Sequence, residues 1–143
     1  MPAGQLGLKE VVDKVFDILS TYPSTLGISW SRGRYSLHDV QQFPAGGVAL
    51  GSGEAGGAAI PSGMGGRTDV LISLRDQGQV GVATLETRME QRVSDVVEAL
   101  WSQRNLGLSR VKFHNMRWEI SSAPEAEPPF VMAVVTLSVE IYV

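Results

Sequence analysis

The sequence predicts an α+β fold: an antiparallel or mixed β-sheet with two amphipathic helices packed on one face. Three observations carry this. Two stretches, Leu8–Leu19 and Leu85–Trp101, repeat apolar residues at helical spacing. The last thirteen residues alternate with period two, apolar at Val131, Ala133, Val135, Leu137, Val139, Ile141 and Val143, with Thr136, Ser138 and Glu140 between. Shorter alternating runs lie between the helices and after the second, an order that suits helices gathered on one sheet face.

The first helix places Leu8, Val11, Val12, Val15, Phe16 and Leu19 on one face and Lys9, Glu10, Asp13, Lys14 and Asp17 on the other. Pro23 ends it, because the residue before a proline is driven out of the helical region. Ile28 and Trp30 alternate with Ser29 and Ser31, which predicts a short strand. Arg32-Gly33-Arg34 reads as a turn, and Tyr35 and Leu37 as the second arm of a hairpin.

Gly46 to Gly66 holds nine glycines in twenty-one residues. This composition disfavours regular structure and predicts a flexible loop at about 46–66 within a single domain spanning 1–143. Ile60 and Met64 are its bulky side chains beyond Leu50, with Glu54 and Arg67 as charged edges. These four are candidate contacts to a partner against which the loop would order.

Asp69–Arg75 returns to a strand through Val70, Ile72 and Leu74. The second helix is expected from about Thr84 to Arg104, with a stripe of Leu85, Met89, Val93, Val96, Val97, Leu100 and Trp101. Thr87 and Glu90 have capping-box spacing, which allows a later start, and Asn105-Leu106-Gly107 supplies a stop. Val111 and Phe113 are out of phase with Met116, Trp118 and Ile120, which predicts a bulge at His114–Asn115. Ser122–Pro129 is a loop whose Glu125 and Glu127 are candidate partner contacts. The final strand would reach ~43 Å at ~3.3 Å per residue, roughly double the usual length. Such a strand must bend or run past its own sheet. Val139, Ile141, Tyr142 and Val143 are therefore candidate subunit contacts through an exposed strand edge.

The chemistry-bearing patterns are weak. Gly51-Ser52-Gly53-Glu54-Ala55-Gly56 matches a phosphate-loop pattern, but the residues after it cannot open a helix. His38 and His114 have no second ligand at metal spacing. Glu86 and Glu90 lie one helical turn apart, interleaved with Arg88 and Arg92, as a solvated face near a helix N-terminus would. Trp30, Trp101 and Trp118 each stand among apolar neighbours and read as core, with a subunit interface as the alternative. No G-x-S-x-G nucleophile motif and no nucleophile–base or metal constellation can be assembled, so no enzymatic activity, cofactor or metal is expected.

Composition sets further bounds. At 143 residues, 43% hydrophobic and 19% charged, the chain is long enough to bury a core. A net charge of −3 argues against binding nucleic acid mainly through phosphates. The absence of cysteine excludes disulfides and thiolate metal sites. The first residues lack the pattern of a signal peptide, and no apolar run reaches the ~20 residues of a membrane span.

The order of elements resembles the tail terminator proteins of long-tailed bacteriophages. The resemblance rests on the amphipathic first helix, the extended start at Phe43-Pro44, and Thr68-Asp69-Val70-Leu71-Ile72-Ser73-Leu74. It continues through Arg88-Met89-Glu90 and Val96-Val97-Glu98-Ala99-Leu100 to the terminal Val134–Tyr142 strand. It is one of pattern and carries no catalytic fingerprint. It implies a structural virion protein, assembled in the bacterial host cytoplasm, that forms a hexameric ring at the head-proximal end of the tail. Its partners would be further copies of itself, the tail tube protein and a neck protein, with DNA passing through the lumen without specific binding. Another head–tail connector subunit is the nearest alternative. A small-ligand-binding α+β domain with a glycine-rich lid is the alternative from a different class.

Overall fold

The computed structural model describes residues 7–33, 42–56 and 65–142. Within these, α1 (Leu8–Thr21) is followed by a 3-10 turn (Pro23–Thr25) and β1 (Ser29–Arg32). Then come β2 (Ala45–Ala55), β3 (Gly65–Gln77), α2 (Val82–Ser102), β4 (Val111–Ala123) and β5 (Phe130–Tyr142). The five strands form one mixed sheet in the order β1-β2-β3-β5-β4. β1 runs parallel to β2, and all other pairs are antiparallel.

Both helices cover the same face. Val11, Val15 and Leu19 of α1 and Leu85, Met89, Val96 and Leu100 of α2 join one core with Val70, Ile72 and Leu74 of β3. The odd residues of β5 complete it: Val131, Val135, Leu137, Val139 and Ile141 are all fully buried. α1 ends at Thr21, and Tyr22, just before Pro23, turns extended at ψ 135°. The chain then folds tightly, with Thr25 Oγ1 donating to Leu19 O at 2.6 Å and Trp30 Nε1 donating to Thr25 O at 3.0 Å. α2 spans Val82–Ser102, two residues earlier at each end than the sequence pattern places it. Gly81 sits at its N-cap, so the Thr87–Glu90 spacing is internal to the helix.

Two expectations change. The described part of the glycine-rich stretch is strand: β2 runs on to Ala55, β3 begins at Gly65, and Gly56 N donates to Gly65 O at 2.6 Å, while 57–64 lie outside the described residues. At Gly46 and Gly53 glycine is required by close approach. A Cβ on Gly53 would lie 2.5 Å from the Arg67 carbonyl oxygen, and one on Gly46 would lie 2.5 Å from the Trp30 ring. The second correction concerns β5. It is the fourth strand of five and is paired on both sides from Phe130 to Ile141, by β3 and by β4. Its length is used inside its own sheet, so it has no free edge. β1 pairs with β2 in parallel, and the expected second hairpin arm at Tyr35 and Leu37 lies outside the described residues. The bulge is where the sequence puts it, between Phe113 and Asn115. It returns Met116, Trp118 and Ile120 to the face that Val111 and Phe113 already share.

Candidate assembly surface

β4 is an edge strand, and α2 covers it only in part. Val93, Val97 and Trp101 of α2 and Trp118 and Ile120 of β4 line a groove of about 410 Å³, with Glu90, Ser94 and Glu98 on its rim. Trp101 and Trp118 are 54% and 58% exposed, a large apolar area to leave in water. Trp101 also forms the wall of an adjoining hollow with Arg104, Phe113 and Met116. The Arg104 guanidinium stacks over its ring at 4.8 Å. On the other rim Tyr22 Oη donates to Glu98 Oε1 at 3.1 Å, and this carboxylate raises the Tyr22 phenol above its usual pKa. The tryptophans read as core in the sequence; the structure puts two of the three on the surface. Arg117 and Glu119 on either side of Trp118 are the sequence signal of an edge strand.

Among the described residues, no helix covers the opposite sheet face. There Glu54, Arg67, Glu140 and Lys112 stand opposite one another across β2, β3, β5 and β4, alternating in sign. Arg67 Nη2 donates to Glu140 Oε1 at 2.9 Å, and Tyr142 Oη donates to Glu140 Oε2 at 2.6 Å. The tyrosine hydrogen bond is the main reason the Glu140 carboxyl sits below the usual range, with Arg67 adding to it and partial burial opposing it. The same bond raises the Tyr142 phenol. His114 Nδ1 is 3.8 Å from Glu140 Oε1. Next to this row, Ser138 Oγ donates to Asp69 Oδ1 at 2.6 Å, and Arg117 Nη2 is 3.4 Å from Asp69 Oδ2. At the far end of this face Arg75 is buried, with its guanidinium 3.9 Å from the Phe130 ring centre.

Of the ten candidate contact residues, the structure brings Glu54, Arg67 and Tyr142 together in this network. Val139 and Ile141 cannot serve a partner, because both are fully buried beneath the helices. Glu125 and Glu127 are exposed in the β4–β5 loop. Ile60, Met64 and Val143 lie outside the described residues, as does His38. Sequence reasoning missed the groove, Glu140, Lys112 and the Asp69–Arg117 pair. The phosphate-loop pattern lies in β2, with Gly56 just past its end, and so has strand geometry rather than a helix start. Among the described residues, no three His, Cys, Asp or Glu side chains gather as metal ligands, and no helix is long and apolar enough to cross a membrane.

No protein-family model and no curated protein matches the chain. Among solved structures it is similar to a chain from "Virion of native gene transfer agent (GTA) particle", with a TM-score of 0.55 and 19% identity. The match covers 95% of this chain and 99% of that one. At that identity the likeness is one of fold, and it extends over nearly the whole of both chains.

Proposed function

We propose that this chain is a structural subunit of a phage-like particle that forms a hexameric ring at the head-proximal end of the tail. There it would cap polymerisation of the tail tube and join the tail to the neck. The observation that carries the reading is the end-to-end fold likeness to a virion chain. The exposed tryptophan groove supports it, since an apolar patch rimmed by polar residues marks a protein–protein contact. The reading gives the chain no catalytic role and no cofactor. DNA would pass through the lumen without specific binding. The net charge of −3 supports this, because a strongly basic ring would hold phosphates by counterion release.

The test is to assemble particles in cells lacking this chain and examine them by electron microscopy. Overlong tails separated from filled heads are the expected result. Separated tails of normal length would assign the chain to a neighbouring neck position instead. Complete particles would overturn the reading.

A further inference from the structure

The groove and the far margin of the same sheet face are complementary. Leu50, Val70, Leu137 and Met116 form one row across β2, β3, β5 and β4, and Val48, Ile72, Val135 and Trp118 form the next. Leu50 therefore lies on the helix-covered face, at the opposite margin of that face from Trp118, and it is 40% exposed. β1 stops short there: its last paired residue, Arg32, lies beside Val48. Among the described residues, β2 has no outer strand from Ala49 onward.

Charge follows the same division. Arg32 and Lys9 both pair with Asp13 at the β1 side of α1, two cations to one carboxylate. The groove is rimmed by Glu90 and Glu98, and among the described residues no basic side chain lines it. A groove-to-groove pairing of two copies would set these carboxylates against their own equivalents, whereas the Leu50 margin offers opposite charge.

From this we infer that the occupant of the groove is the Leu50 margin of a second copy. Leu50 enters between Trp101 and Trp118, while Arg32 and Lys9 approach Glu90 and Glu98. The contact joins two different patches, so it is head-to-tail and repeats from copy to copy until rotation closes it. It rests on the reading of the chain as an assembly subunit and names which surfaces meet.

The chain has no cysteine, so introduced thiols report this contact alone. Ser94, exposed on the groove rim, and Leu50 are changed to cysteine, together and singly, and oxidised during self-association. A disulfide forms only where the two Cα atoms come within ~7 Å. The L50C/S94C chain should give a ladder of covalent multimers on a non-reducing gel. Each single variant should stay monomeric, and an equal mixture of the two should give dimers and nothing larger. Cross-linking of S94C alone would mean groove against groove and overturn the proposal. So would the absence of any cross-link in both the double variant and the mixture.

A second measurement avoids cysteine. Lys9→Glu, at a side chain 86% exposed, should weaken self-association several-fold, and adding Glu90→Lys should restore it. Unchanged association in Lys9→Glu would also overturn the proposal. The two readings fail separately. A ladder without an upper limit keeps the contact and removes the ring. A ring seen by native mass spectrometry without any ladder keeps the ring and removes the contact.

Discussion

Trp118 lies directly opposite Val135 on the same sheet face, yet Val135 is fully buried and Trp118 is 58% exposed. One strand of displacement separates the core from the surface, because α2 crosses β5 fully and β4 only in part. Trp118→Ser should therefore leave folding stability within about 0.5 kcal/mol of wild type, as surface changes do. It should also reduce self-association, measured by sedimentation velocity at matched concentrations. A large loss of stability with unchanged association would place Trp118 in the core.

Leu100 is the opposite case. It is fully buried in the core between α2 and the sheet. Leu100→Ala should cost about 2–5 kcal/mol in urea melts, the range for removing a buried leucine side chain and leaving a cavity.

Gly46 lies under the Trp30 ring, where a Cβ would come within 2.5 Å of it. Gly46→Ala should cost about 1–3 kcal/mol, as overpacking does. It should also shift the Trp30 indole N–H resonance, because the ring cannot move without disturbing its bond to Thr25 O. An unshifted resonance and unchanged stability would show that β1 yields freely.

Glu140 and Tyr142 give a pH prediction. The Glu140 carboxyl is depressed below 4.5, so its contribution is present above that value and is lost as pH falls through its folded pKa. The Tyr142 phenol is raised above 10.0, so its contribution is present below that value and is lost as pH rises through its folded pKa. Glu140→Gln should thus lower Tm most between these limits, with the difference from wild type shrinking in acid and in alkali. Salt should reduce the difference, since the groups are partly solvated. A gap independent of pH would show that the carboxylate charge contributes nothing.

Removing the last five residues takes Val139 and Ile141 out of the core and the end of β5 out from between its two neighbours. The truncated chain should fail to fold, seen as loss of the near-ultraviolet circular dichroism signal. A folded but non-assembling product would restore the end of β5 to the role of an external contact.

The two helices, their buried stripes, the long β5 and the bulge in β4 are legible in the amino-acid order alone. Each of these is written in a local period, and a side chain's face follows from its position in that period. Leu100, Val135 and Ile141 are legible as core for that reason, and so is the α+β class. Which strand neighbours which emerges only in the folded chain. β5 reads as an overlong terminal strand until β3 and β4 are seen to pair along both its edges. The glycines at 46, 53 and 66 read as a loop until the Trp30 ring and the neighbouring backbone occupy the space a Cβ would fill. Trp118 reads as core until β4 proves to be an edge. Glu54, Arg67, Glu140 and Lys112 are far apart in the chain and meet only through strand register, which local periodicity does not encode.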